Sequence, residues 1–110
     1  MERMTLPQIA KKLEKYILAL PAAKQFNTLS NEPRKAMMDL SDSAYSLRIN
    51  TERYFAADDT EEQKMFIEAA KDQARRVDEY ILLAGQHELL GPADVAHLGA
   101  LNELILEKLG

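Results

Sequence analysis

The hydrophobic positions of the chain recur at spacings of three and four residues in four separate segments. The first segment follows Thr5, a helix-capping residue type, and has Pro7 in its first turn. Its apolar stripe consists of Leu6, Ile9, Ala10, Leu13, Tyr16, Ile17 and Leu20. This spacing predicts an amphipathic helix. The helix should end before Pro21, because the residue preceding a proline is disfavoured in the α conformation.

The second segment repeats with a spacing close to a heptad, which is typical of helices in left-handed bundles. Ser30 or Asn31 can cap it, Pro33 lies in its first turn, and the helix should run to about Ala57. Its apolar stripe is formed by Met37, Leu40, Ala44, Leu47, Thr51 and Tyr54. The sequence therefore predicts a long second helix that is buried along one side.

The third segment opens with the pattern of a capping box, Thr60 followed by Gln63. Acidic residues crowd its start, where the helix dipole favours negative charge. Its inner positions are Phe66, Ala69, Gln73, Val77, Tyr80, Ile81 and Ala84. Glycine is common just past a helix C-terminus, so Gly85 is the predicted end of this helix, although the helix could fray on to His87.

The last segment begins at the Gly91-Pro92 break and runs to Gly110, with an apolar stripe of Val95, Leu98, Leu101, Ile105 and Leu109. No segment alternates apolar and polar residues as a half-buried strand would. Short linkers favour antiparallel neighbouring helices. The sequence therefore predicts an all-α fold, an antiparallel up-down-up-down four-helix bundle, as a single domain over residues 1–110. Its two central helices, at roughly 25 residues each, should project beyond the others.

Composition narrows the class of protein further. The chain has 110 residues, of which 46% are hydrophobic and 29% charged, and it has no cysteine. These values fit one globular domain without disulfide or thiolate chemistry. No signal-peptide pattern precedes the first helix, and no apolar run is long enough to span a bilayer. We therefore expect a cytoplasmic protein that does not enter a membrane.

The charge is divided unevenly along the chain. The net charge is −4, but residues 1–57 have nine Lys and Arg against six Asp and Glu, whereas residues 58–110 have five against twelve. Helical surfaces can differ in charge without any function. A basic half that faces the acidic half of a neighbouring copy would instead select the orientation of a heterologous contact, in which one patch meets a different patch.

The sequence lacks the residue patterns of helical-bundle enzymes. Di-metal bundles need several carboxylates and two Glu-x-x-His motifs, and the nearest approach here is the single pair Asp94 and His97. The four glycines form no phosphate-binding loop, and the serines lie at a helix cap or along the second helix. We expect a non-enzymatic protein with no catalytic, cofactor-binding or metal-binding residues. A bundle enzyme that uses Asp94 and His97 remains a third hypothesis.

Basic side chains are the candidate contacts for nucleic acid or for a protein partner. They lie on the first three helices, as Lys11, Lys12, Lys15, Arg34, Lys35, Arg48, Arg53, Arg75 and Arg76. Phosphate binding would require them to converge on one surface. The alternative is an ordinary solvated surface, on which Asp72 and Glu79 pair with the two adjacent arginines of the third helix.

Two further features concern the inner faces. Polar residues at inner positions, Thr51, Gln73 and Asn102, would fix the register of a bundle or an oligomer if they are buried. Apolar residues outside the main stripes indicate a second contact surface, formed by Tyr45, Ile49, Leu83 and Leu106. A small bundle with surplus apolar surface often self-associates, so we expect a homo-oligomer.

The order of these features resembles a known family of bacterial four-helix bundle proteins. The linker Phe26-Asn27-Thr28-Leu29-Ser30 precedes a long helix, an acidic turn follows, and the third helix contains Ala69-Ala70 and Arg75-Arg76 before it closes on Leu82-Leu83-Ala84. The family includes proteins encoded in intervening sequences of ribosomal RNA genes and the accessory variability determinant of diversity-generating retroelements. The resemblance covers about Leu6 to Leu109.

The resemblance implies a ring-shaped homopentamer of four-helix bundles. It also implies a non-catalytic accessory role, in which the protein binds a reverse transcriptase and its template RNA and supports mutagenic copying. Members with that role are typically basic, whereas this chain has a net charge of −4. The negative charge disfavours direct RNA binding and affects binding of the polymerase, itself usually basic, less. The alternative function is an oligomeric helical scaffold or regulatory protein-binding module with no nucleic-acid role.

Overall fold

The computed structural model describes residues 4–110, and this part of the chain is mainly helical and contains no strand. A short 3₁₀ turn, Phe26–Thr28, lies in the linker before the third helix. The α-helices are α1 (Leu6–Leu18), α2 (Pro21–Lys24), α3 (Asn31–Ala56), α4 (Thr60–Gln86) and α5 (Pro92–Leu109). The predicted all-α class is confirmed. The central helices α3 and α4 are the longest, at 26 and 27 residues, as the sequence predicted.

The helix starts show where local sequence decides structure. At α1, the Thr5 side chain accepts a hydrogen bond from the Gln8 backbone, and Gln8 Oε1 accepts one from the Thr5 backbone N–H at 2.8 Å. The predicted capping box at Thr60 is wrong. Asp59 caps α4 by accepting from the Glu61 backbone N–H at 3.3 Å, because aspartate is an equally good cap one position earlier.

The core lies where the apolar stripes of the four main helices meet. Helix α1 packs on α3 and α5, and α4 packs on the same two helices. The largest buried side chains come from all four, as Ile9, Leu13, Ile17, Met37, Leu40, Leu47, Val77, Leu98 and Ile105. Burial of one such side chain stabilises the fold by about 1.5–3 kcal/mol. No helix in residues 4–110 has the length and apolar character of a membrane span.

Two of the three predicted inner polar residues are fully buried. The Thr51 hydroxyl donates to the Arg48 carbonyl at 2.8 Å. The Asn102 amide donates to the Ala74 carbonyl at 2.8 Å and to Asp78 Oδ1 at 2.7 Å, so it links α5 to α4. Gln73, the third, is only half-buried.

Candidate interaction surfaces

The nine predicted basic contact residues fall into two groups. Side chains of the occupied group form an ion pair or hydrogen bond within residues 4–110, and those of the unoccupied group do not. Three lysines of α1, Lys11, Lys12 and Lys15, are exposed. So are Arg53 and Arg75, which lie on α3 and α4. Within residues 4–110, none of these five side chains forms an ion pair. Their charges are therefore available to a partner.

Arg48 belongs to the occupied group. Its Nε donates to Glu14 Oε1 at 2.6 Å and its Nη1 to Glu52 Oε1 at 2.9 Å, and its guanidinium lies 5.3 Å from the centre of the Tyr45 ring. The hydrogen bond to Glu14, reinforced by Glu52, raises the pKa of the Arg48 guanidinium although burial acts the other way. The bond to Glu14 links α1 to α3, whereas Glu52 binds the same guanidinium from within α3.

Arg34 is occupied as well. Its Nη2 donates to the carbonyl oxygens of Leu29 at 2.8 Å and Asn27 at 3.2 Å, and its guanidinium lies 5.8 Å from the centre of the Phe26 ring. These contacts fasten the linker that carries α2 and the 3₁₀ turn to the start of α3. The position predicted for nucleic-acid contact therefore serves the linker.

The two remaining basic residues form exposed pairs within their own helices. Lys35 Nζ lies 2.9 Å from Asp39 Oδ2, and this hydrogen bond raises the pKa of Lys35. Arg76 Nε lies 3.1 Å from Asp72 Oδ2, as the helical spacing predicted. Exposed pairs of this kind stabilise a protein by only about 0–1 kcal/mol, so either cation can exchange its partner at little cost.

Asp94 and His97, the pair considered for metal binding, lie beside Tyr16 of α1. The Tyr16 hydroxyl donates to Asp94 Oδ1 at 2.6 Å, and the Gly91 backbone N–H donates to Asp94 Oδ2 at 3.1 Å. The His97 ring packs on the Tyr16 ring with centroids 4.5 Å apart. Both carboxylate oxygens are thus engaged, one at the start of α5 and one in the contact between α1 and α5.

The contacts among these three residues also change the pKa of Tyr16. The hydrogen bond to Asp94 raises the pKa of Tyr16, and burial and the negative charge of Asp94 act in the same direction. Residues 4–110 contain no group of three potential His, Cys, Asp or Glu metal ligands. The arrangement is suited to holding two helices together.

The end of α3 and the start of α4 form a surface that no sequence motif indicates. The last buried position of α3 is Thr51 and the first of α4 is Ala70, and no residue between them is buried. We call residues 52–69 the hairpin tip. Its side chains include Phe55, which is 59% exposed, and Met65, which is 60% exposed. Exposed apolar surface of this kind is typical of sites that bind another molecule when it is contiguous.

The hairpin tip is also acidic. It carries two basic residues, Arg53 and Lys64, against six acidic ones, Glu52, Asp58, Asp59, Glu61, Glu62 and Glu68. The net charge of the tip is thus −4, equal to that of the whole chain. The acidic excess predicted for the second half of the sequence is therefore concentrated at one end of the helical pair.

An apolar groove lies at the other end of α4, between α4 and α5. Its volume is about 830 Å³, and Leu82, Gly85, Leu90, Pro92, Val95 and Ala96 contribute to its lining. Leu82 is 62% exposed at its edge. Of the surplus apolar residues predicted for a second contact surface, Tyr45 and Leu83 are exposed, whereas Ile49 and Leu106 are half-buried.

Comparison with known proteins yields no relative of this chain. No family model matches it, and no curated protein and no solved structure shows significant similarity to it. The resemblance to the accessory variability determinant therefore stays a prediction, carried by the linker, the small residues of the third helix and the order of the helices.

Proposed function

We propose that this protein is a non-catalytic homo-oligomer that binds other macromolecules, with an antiparallel four-helix bundle as its protomer. The observation that carries the proposal is the amount of apolar surface left uncovered. Among residues 4–110, eight large apolar side chains are between 36% and 62% exposed: Leu18, Met38, Tyr45, Phe55, Met65, Leu82, Leu83 and Leu104. Association would remove this surface from water, which is the main driving force of protein–protein contact.

Contacts between helices support the antiparallel bundle. The three-residue connection 57–59 returns α4 along α3. Asn102, in the middle of α5, bonds to Ala74 and Asp78 in the middle of α4, while Val95 near the start of α5 lies beside Gly85 near the end of α4. Two helices with these contacts run in opposite directions. Helix α1 joins the set through its contacts with α3 and α5.

The site chemistry supports binding over catalysis. Of the pair considered for an active site, Asp94 already accepts two hydrogen bonds within the fold, and His97 lies exposed against the Tyr16 ring. A general base needs a carboxylate or imidazole within reach of a bound substrate's proton. In the described chain, the large groove between α4 and α5 is lined mainly by apolar side chains, with Glu88 as its charged member.

For the identity of the partner, the sequence resemblance favours a reverse transcriptase and its template RNA, and a ring of five copies. Lys11, Lys12 and Lys15 are the basic residues best placed for RNA, because they are exposed and share the outer face of α1. A protein-binding module without a nucleic-acid role is the second candidate. It is favoured by the acidic net charge and by the intramolecular partners of Arg34 and Arg48.

Two measurements test the proposal. Molar mass by light scattering at low salt and high protein concentration should give an oligomer, and a monomer under those conditions would refute the homo-oligomer. Fluorescence anisotropy with a structured RNA then separates the two candidate functions. In the RNA-binding case, the triple variant Lys11→Glu, Lys12→Glu, Lys15→Glu should weaken binding at least tenfold, because contacts with phosphates dominate such affinity. Binding too weak to detect at low salt would favour the protein-binding module.

Co-expression with a diversity-generating retroelement reverse transcriptase addresses the partner directly. The accessory role predicts that the two proteins co-purify through size exclusion at a fixed ratio. A matched preparation with an unrelated basic protein serves as the control, because non-specific attraction between an acidic and a basic protein would retain both. Failure to co-purify with any such reverse transcriptase would leave the scaffold role as the better proposal.

A further inference from the structure

We propose that the hairpin tip of one copy docks on the outer face of α1 of a second copy. This inference rests on the proposed homo-oligomer, names the two surfaces that form its interface, and assigns the α1 lysines to a neighbouring copy rather than to RNA. It starts from the tip, residues 52–69, where two helices continue beyond the last buried core positions. Within one copy, no element covers Phe55 or Met65.

The charge of the tip indicates which kind of surface binds to it. A net charge of −4 over 18 residues favours a basic surface with some apolar character. Helix α1 offers such a surface on the same chain. Its outer face carries Lys11, Lys12 and Lys15 together with Leu18, which is exposed. Its only acidic residue, Glu14, is already paired with Arg48.

The outer face of α1 and the hairpin tip carry opposite charges but have a similar composition. Each surface combines an uncovered large apolar side chain with charges that find few partners inside the fold. Of the charged residues on the two surfaces, Glu52 and Glu68 alone form ion pairs within residues 4–110, with Arg48 and Lys71. Bringing the surfaces together pairs opposite charges and removes exposed apolar side chains from water, the two contributions that a specific interface combines.

The tip is slightly smaller than one side of a standard interface. Such interfaces involve about 20–30 residues on each side, and the tip contains 18 residues with none buried. The contact is heterologous, because a tip meets a different surface on its neighbour. Each copy therefore keeps one tip and one α1 face for two neighbours, and such contacts close into a ring when the rotation between copies allows it.

Charge reversal with compensation tests the pairing. The tip variant Asp58→Lys, Glu62→Lys and the α1 variant Lys11→Glu, Lys15→Glu should each lower the molar mass measured by light scattering to that of a monomer. Mixing the two variants should restore association in alternating order, because the changed tip of one faces the changed α1 of the other, and the native tip of the second faces the native α1 of the first. The chain with all four changes should regain association, because the two lysines introduced on the tip can pair with the two glutamates introduced on α1.

The matched control is Glu103→Lys, Glu107→Lys on α5. Both residues are exposed, and the substitutions alter the net charge by the same amount outside the tip. This variant should keep the molar mass of the parent protein. Circular dichroism and thermal unfolding of every variant exclude loss of fold as the cause of dissociation. A second pair, Phe55→Ser, Met65→Ser against Leu82→Ser, Leu104→Ser, tests the apolar part: the first should dissociate the oligomer and the second should not.

The outcomes separate this inference from the proposed function. A parent protein that is monomeric at low salt and high concentration would refute both. An oligomer that ignores the tip and α1 variants, or dissociates only with Leu82→Ser, Leu104→Ser, would refute the tip interface and leave the homo-oligomer intact. Dissociation by the single-surface variants without recovery in the four-change chain would also overturn the pairing of these two surfaces. If the tip instead binds a different protein, reversal of its charge would leave the oligomer unchanged, which counts against the inference.

Discussion

Tyr16 and Asp94 lie 78 positions apart in the chain and are joined by a 2.6 Å hydrogen bond. Asp94 also caps the start of α5 through the Gly91 backbone N–H. One carboxylate therefore serves helix initiation with one oxygen and the docking of α1 with the other. The stability of the contact between α1 and α5 should depend on both bonds.

Tyr16→Phe should lower the urea midpoint of unfolding without changing the fold, because it removes the hydroxyl donor and leaves Asp94 Oδ1 without that partner. The control is Tyr45→Phe, whose hydroxyl forms no hydrogen bond within residues 4–110. That variant should unfold at the same midpoint as the parent. Equal midpoints for both variants would show that the Tyr16 bond contributes nothing.

The same bond predicts a loss of stability at alkaline pH. The pKa of Tyr16 is raised in the folded state above its ordinary value of 10.0. Its contribution is therefore fully present below about pH 10 and is lost as the pH rises through the folded-state pKa, because the phenolate cannot donate and is repelled by Asp94. The difference in urea midpoint between the parent and Tyr16→Phe should stay constant below about pH 10 and shrink as the pH rises above it. A difference that stays constant above that pH would contradict the linkage.

Arg48→Met should destabilise the protein by about 1–2 kcal/mol, because it leaves the Glu14 carboxylate without its closest cation. Glu14 is only 12% exposed and Arg48 21%, so this pair should exceed the usual value of a surface ion pair. Arg76→Met, which breaks an exposed pair, is the control and should change the free energy of unfolding by less than about 0.5 kcal/mol. Similar losses for both would mean that burial adds nothing to the Arg48 pair.

Asn102→Leu should cost about 1–3 kcal/mol in unfolding free energy, because it removes a donor from a fully buried position. The substitution leaves the Ala74 carbonyl and the Asp78 carboxylate without the amide that they now share. A double-mutant cycle with Asp78→Leu checks the mechanism. A coupling energy near zero would show that the Asn102–Asp78 bond does not contribute.

Leu13→Ala should destabilise the fold by about 2–5 kcal/mol, because it opens a cavity in the core beneath α1. Leu82→Ala removes the same side chain from an exposed position beside the α4–α5 groove and should cost less than about 0.5 kcal/mol. Thermal unfolding of the two variants compares them directly. A large loss in Leu82→Ala would place that leucine in the folding core rather than on an available surface.

The helices could be predicted from the sequence because their apolar stripes repeat with the helical period over many turns. Helix α2 was missed because its four residues are too short for a period to show, and Pro21, taken as the end of α1, is the first residue of this short helix. Asp58, Asp59 and Thr60 are all capping types in a row, and local pattern cannot choose among them.

The side-chain contacts were less accessible to sequence reasoning. The pairs Tyr16–Asp94 and Glu14–Arg48 join residues that are distant in the chain, and a single sequence gives no signal for such pairing. The basic residues were grouped by charge alone, whereas their roles depend on carbonyls and carboxylates brought near by folding. For Arg34, the partners are backbone oxygens of the linker, which leave no trace in the residue pattern.

The hairpin tip has a practical consequence. The connection 57–59 lies between two long helices, and no residue from 52 to 69 is buried. Foreign sequence inserted after Asp58 would therefore leave the core untouched, since exposed connections accept insertions far better than packed ones. A second domain inserted there should leave the fold intact while it blocks the proposed docking of the tip on α1 of a neighbouring copy.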